Sequence, residues 1–214
     1  MRGAVFFDVD GTLVPQTSSS QHLAGYLGHL DVLRQAEGDY ADGRMDNREV
    51  SVLDAEGWRD HSQRDVRRSL IDLPLVAGIP DVLTWCREHS VAAYLATLAW
   101  EPVGIYLCET FGFDGTCGPT LAQQDDRYTG LVACHFDEFD KRDFAQRVAS
   151  GLGLTLDRCA AVGDSRSDLP LFAEVGFSVA FNATAAVKAV AGASAEGDDL
   201  RMIIPYLERW LHTE

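Results

Sequence analysis

The chain has 214 residues, 46% of them hydrophobic, and carries 33 acidic against 18 basic side chains for a formal charge of −15. That length and apolar content suffice for a packed core and exclude an intrinsically disordered polymer. The acidity disfavours nucleic-acid phosphates and anionic lipid as partners, so neither nucleic acid nor membrane is expected to bind. A phosphorylated small molecule would need local positive charge at its site.

Residues 3–8 (GAVFFD) read as a short buried strand. From Gln16 to about Leu75 no strand-like run occurs; leucines and valines recur at helical spacing, as in Leu23, Leu27, Leu30 and Leu33. A segment of this length is too long for an ordinary loop and is expected to fold as a small helical cap. Pro74 and the Gly78-Ile79-Pro80 run mark the return. Further strands are expected at 91–97, 158–164 and 176–182, with helices over 79–89, 101–111, 139–152, 167–174 and 184–191. Residues 118–132 read as a hairpin turning at Asp125-Asp126, and 198–211 as a helix interrupted at Pro205. Strands alternating with helices predict an α/β fold, a doubly wound, Rossmann-like parallel sheet. The expected division is a core of residues 1–15 and 77–214 with a helical cap, 16–76, inserted after the first strand.

Five cysteines without a CxxC pair suggest neither a disulfide framework nor a zinc site, and they read as reduced packing residues. No apolar run approaches the ~20 residues that span a bilayer, and the opening residues form no secretory segment, so a cytoplasmic location is expected.

Ligands of open parallel sheets bind at the carboxyl ends of the strands, where the winding reverses. The first predicted strand ends at Asp8, the second at Thr97 and the third at Asp164, while Lys141 stands near the start of a helix. Asp8, Asp10, Asp164 and Asp168 brought together would repel: two unit charges ~5 Å apart cost roughly 3 kcal/mol at an effective dielectric of 20. Mg²⁺ suits such a site, because it takes oxygen ligands from one or two carboxylates and bridges to phosphate. Lys141 lies at the positive end of its helix, an unfavourable place for a cation unless it has an anion to hold. Its alternative is a solvated lysine among Asp137, Glu138, Asp140 and Asp143; the scarcity of lysine, two residues against sixteen arginines, favours the first.

Asp8-Val9-Asp10-Gly11-Thr12, Thr97 closing an apolar strand, Lys141, and Gly163-Asp164-Ser165-Arg166-Ser167-Asp168 resemble, in order and spacing, the four motifs of the haloacid dehalogenase superfamily. The hairpin segment Asp126–Gly130 and Ala180–Ala183 are similar to its phosphoserine-phosphatase-like branch. The resemblance covers the core and fades in the cap. It implies a phosphoric monoester hydrolase with Asp8 as nucleophile, forming an aspartyl-phosphate, and Asp10 as general acid and then base. It further implies Thr97, Lys141 and Gly11 at the phosphate, with Asp8, Asp10, Asp164 and Asp168 at Mg²⁺. Asp10 argues for phosphoryl chemistry over dehalogenation, and the absence of lysine from 16–76 argues against a Schiff-base phosphonatase. A phosphomutase, or a non-catalytic phosphate-binding regulatory protein, remains an alternative.

The expected substrate is a small phosphomonoester. Phosphoserine is disfavoured, since Thr17 stands where the related enzymes carry a glutamate and their cap arginine finds no clear counterpart near Val52–Asp54. Arg44, Arg48 and Arg59 are candidates for an acidic substrate, while His22, Tyr26 and Trp58 hint at a polyol or sugar-like leaving group. Trp100 reads as packing rather than as a substrate contact.

Overall fold

A computed structural model describes residues 1–212. Its main sheet has six parallel strands: β1 (Gly3–Phe7), β2 (Val91–Ala96), β3 (Gly115–Cys117), β6 (Cys159–Gly163), β7 (Phe177–Phe181) and β8 (Ala193–Ala195), in the order β3-β2-β1-β6-β7-β8. Every residue of β1 is buried, because a parallel strand is covered on both faces. Val5 and Phe7 enter one apolar layer and Ala4 and Phe6 the other. Phe7 stands opposite Leu95 of β2 and Val162 of β6, so the carboxyl ends of the three central strands lie together at the point where the winding reverses.

Four helices follow β1: α1 (Ser19–Leu27), α2 (Leu30–Ala41), α3 (Asn47–Gly57) and α4 (Gln63–Ser69). Their starts are local in origin. Ser18 accepts from the Gln21 N–H, Asp46 and Glu49 form a capping box, and Ser62 accepts from the Asp65 N–H. The chain re-enters the core where the Val76 N–H donates to the Leu13 carbonyl (2.9 Å), ahead of α5 (Ile79–Glu88). Helices α6 (Glu101–Phe111) and α7 (Glu138–Gly151) cover the sheet, with Ala145 and Ala149 of α7 against the small residues of the Phe6 layer.

The hairpin of β4 (Thr120–Gln124) and β5 (Arg127–Cys134) turns at Asp125 and Asp126, both at positive φ, as a two-residue connection requires. It joins the inserted helices instead of the main sheet: the Asp60 N–H donates to the Tyr128 carbonyl (2.9 Å) and the Tyr128 N–H to His61 (3.0 Å).

The structure departs from the sequence reading at several points. Strands β3 and β8 have three residues each, too few to show a period. The helix expected over 167–174 is a 3₁₀ turn at 166–168 followed by α8 (Leu169–Phe172), and that over 184–191 is only α9 (Ala185–Lys188). The stretch read as a helix interrupted at Pro205 is a 3₁₀ turn, Leu200–Ile203, running into α10 (Ile204–His212); the change falls just before Pro205, which does not break α10 but occupies its first turn, where a missing N–H leaves no bond unmade. Cys134 is exposed rather than packed, because it closes an edge of the hairpin. Among the described residues no helix is long and apolar enough to cross a membrane.

Candidate active site

The Asp8 N–H donates to the Val162 carbonyl (2.9 Å), carrying the β1–β6 ladder one residue past β1 and fixing Asp8 at the rim. Its Oδ1 accepts from the Val9 N–H (2.8 Å) and meets Lys141 Nζ at 3.2 Å. The chain then turns at Gly11, whose φ is 83°. A Cβ there would stand 2.3 Å from Asp164 Oδ2. Glycine thus permits both the left-handed backbone and the close approach of the β1 and β6 loops. Gly163 serves only the close approach: a Cβ there would come within 2.3 Å of the Asp168 carboxyl carbon.

Lys141 is wholly buried, which removes the solvated-lysine alternative. Its ammonium donates to Asp168 Oδ1 (2.6 Å) and Ser167 Oγ (3.3 Å) as well as facing Asp8. The acidic neighbours Asp137 and Asp140 are occupied in capping α7. Asp168 Oδ2 in turn accepts the Asp164 and Ser165 N–H groups, both at 3.1 Å, so one carboxylate ties the lysine to the loop after β6. The Asp164 carboxylate receives a long bond from the Thr12 hydroxyl (3.4 Å). Thr97 is buried, and its Oγ1 accepts from the Ala99 N–H (3.0 Å), which leaves the hydroxyl proton free to donate.

Asp8, Asp164 and Asp168 each present an oxygen within 4.8 Å of the others, a hard-oxygen donor set that fits a divalent cation such as Mg²⁺. The Asp10 carboxylate stands outside this group. Its Oδ1 accepts the Ser19 N–H (2.6 Å) at the start of α1. Burial, then the charge of Asp168, raises the Asp8 carboxyl well above the usual range, against the pull of Lys141. Burial also pushes Asp10 up to about 6, and burial with Asp168 pushes Asp164 up to about 7. Burial alone would lower the Lys141 ammonium; Asp168 and Asp8 outweigh it and hold it above the ordinary lysine value. The crowded carboxyls at this rim therefore hold protons more tightly than free ones do.

A cavity of about 450 Å³ opens over Asp8 and Asp10 between the sheet and α1–α3. Thr97, Ser165 and Ser167 line it below; Glu37, Tyr40, Val50 and Asp54 line it above. Trp100 is both packed and part of the wall: it is buried, and its indole N–H donates to Asp54 Oδ2 (2.7 Å). Sequence reasoning passed over Glu37 and Asp54. Only the i, i+4 spacing of Asp54 and Trp58 offered a local signal for the latter, and their bond measures 3.2 Å.

Other expectations for the upper wall fail. Trp58 is wholly buried against Tyr128 and Trp100, and His22 is engaged with the Ser69 carbonyl (2.7 Å), so the aromatic hint of a sugar-like leaving group has no support in these residues. Tyr26 lies beside His22 with the rings tilted 56° to one another, outside the cavity lining. Arg44 pairs with Asp39 and Asp42, Arg59 lies against Gly130, and Arg48 lines a neighbouring groove. Helical periodicity identifies a helix but not which of its polar side chains the tertiary packing consumes.

Carboxylates gathered at the switch point of a doubly wound sheet, under an inserted helical segment, define a class of α/β hydrolases. The chain belongs to the haloacid dehalogenase-like hydrolase family, whose model matches residues 5–173. It is similar to phosphoserine phosphatase SerB1 of Mycobacterium tuberculosis, 28% identical over 223 residues covering 89% of this chain and 68% of that protein. It is also similar to a phosphoserine phosphatase of Methanocaldococcus jannaschii, at 22% identity over 95% of this chain and 97% of the relative. A solved phospho-aspartyl intermediate analogue of phosphoserine phosphatase shares the fold with a TM-score of 0.85 at 21% identity, over 96% of this chain and 98% of that one. A hydrolase of the same family from Salmonella enterica serovar Typhi reaches 0.89 at 15% identity, over 100% and 72%.

Proposed function

We propose that this hydrolase cleaves a small-molecule phosphomonoester by way of a phosphoryl group carried on Asp8. The observation that carries the reading is the placement of Asp8, buried at the cavity floor and held between the Val9 N–H and Lys141 beside an oxygen-rich cluster. An Asp8 carboxylate oxygen attacks phosphorus as the bond to the alcohol oxygen breaks, and Asp10 gives that oxygen its proton. Asp10 then takes a proton from water, whose oxygen attacks the aspartyl-phosphate, releasing phosphate and restoring Asp8. A carboxyl raised to about 6 suits both directions of transfer near neutral pH.

Lys141 and the Thr97 hydroxyl would hold phosphoryl oxygens, with Gly11 allowing the backbone close to them. Mg²⁺, when bound, would supply the positive charge that lets an anionic ester enter among the carboxylates. Asp8 and Asp164 would hold it with the Asp10 carbonyl, and Asp168 would support it while anchoring Lys141. Residues 16–76 would act as the cap that closes the reaction off from water. The relatives' names support phosphatase chemistry of this kind.

Phosphate release from p-nitrophenyl phosphate, with and without Mg²⁺, tests the reading. Wild type should release phosphate only with the metal, and Asp8→Asn should lose at least about a thousandfold. Turnover that persists in the variant, or in excess chelator, would reject it.

A further inference from the structure

Both walls of the cavity carry carboxylates, Asp8 and Asp10 on the sheet side and Glu37 and Asp54 on the inserted helices. Among the described residues that line it there is one cation, Arg166, at the rim beside Ser165, with its guanidinium stacked 4.0 Å from the centre of the Tyr40 ring. The inserted helices contribute no lysine or arginine to the lining. They contribute two carboxylates. Asp54 is buried and taken up by three donors: His29 Nε2 (2.7 Å), the Trp58 indole (3.2 Å) and the Trp100 indole (2.7 Å).

Glu37 is different. It is partly buried, and its two oxygens accept from neutral donors alone, Ser18 Oγ (2.7 Å) and the Gln21 side-chain amide. These orient the carboxylate without cancelling its charge, and each oxygen keeps a second acceptor site. Leu33, Val50 and Trp100 supply apolar surface on the same wall. At about 30 Å³ per water-sized group, the 450 Å³ cavity has room for on the order of fifteen non-hydrogen atoms, several more than a phosphoryl group needs.

We infer that the leaving alcohol carries an ammonium group and no carboxylate, with Glu37 as the residue that meets the ammonium: the substrate is a phosphomonoester of an amino alcohol or amino sugar. A carboxylate on the leaving group would face an unneutralised Glu37 and find no cation on the inserted helices. An ammonium there gains a charge-assisted bond and apolar contact for its carbon body. This inference rests on the phosphatase reading above and narrows it.

Two matched pairs of esters test it with Mg²⁺ present. Glucosamine 6-phosphate differs from glucose 6-phosphate by the amine, and phosphoethanolamine from phosphoserine by the carboxylate. Wild type should prefer the first member of each pair by about tenfold in kcat/KM, the order expected of one hydrogen bond to a charged group. Glu37→Gln, which keeps the shape and the bond to Ser18, should collapse the glucosamine-to-glucose ratio toward one, with a melting curve verifying that the variant is folded. Equal rates within the pairs, a preference for phosphoserine, or a ratio unmoved by Glu37→Gln would overturn the inference. So would hydrolysis of p-nitrophenyl phosphate with none of the four esters cleaved. Failure on p-nitrophenyl phosphate as well would instead mark the underlying phosphatase reading as wrong.

Discussion

Gly11 and Gly163 act through the atoms they lack. Each leaves space for the carboxylate of a residue on the loop after β6, and Gly11 also takes a φ of 83° that other residues adopt only with strain. Gly11→Ala should therefore displace Asp164, lowering phosphate release by about a hundredfold or more and abolishing the rise in Tm on adding Mg²⁺; a variant with a normal Mg²⁺ response would contradict this placement. The same carboxylates set a pH dependence. Asp10 and Asp164 are raised to about 6 and about 7, above the ~4 of an unfolded chain. Between those values the folded state binds protons that the unfolded state does not, so the stability of the metal-free protein falls as pH rises from about 4 to about 7. A bound metal would take the place of those protons. The gain in Tm from Mg²⁺ should accordingly be larger at pH 8 than at pH 5.5, and equal gains would refute the assignment.

Between elements, Asp54 of α3 ties the inserted helices to the core. It gathers His29 from the turn before α2, Trp58 from the end of α3 and Trp100 from the loop after β2, so a residue of the inserted helices fixes the cavity wall built by the core. Asp54→Ala would leave two buried indole N–H groups and the part-buried His29 without their acceptor and should cost about 2–4 kcal/mol in urea unfolding; a loss under 1 kcal/mol would show that the network contributes little. The elements themselves were largely legible. The central strands announced themselves as apolar runs ending at Asp8, Thr97 and Asp164, and the hairpin by its Asp125-Asp126 turn. Three-residue β3 and β8 carried no periodic signal, and Pro205 was misread because a proline that starts a helix and one that breaks it look alike without the helix boundary. Trp58 looked like a cavity residue because helical spacing cannot tell a buried aromatic from one facing a ligand.

Over the whole molecule, a charge of −15 confronts any anionic substrate before the site's own Lys141 can act. Salt screens that repulsion over about 10 Å at 0.1 M. The value of kcat/KM for a phosphomonoester should thus rise, roughly two- to fivefold, between 10 and 200 mM NaCl at fixed Mg²⁺, mainly through KM. A fall would mean that local attraction at the rim dominates the long-range field.

By itself the sequence determined the sheet class, the helical insertion after the first strand, and the carboxylates and lysine to be sought at one rim. It could do so because strand burial and the position of a residue at a strand end are properties of short contiguous segments. Only the tertiary structure decided that Lys141 is buried between Asp8 and Asp168, that Asp54 is consumed by two tryptophans and a histidine, and that Glu37 lines the cavity with its oxygens bonded to Ser18 and Gln21. Those facts depend on distances between residues far apart in the chain, and burial and uncompensated charge exist only once the distant segments have packed.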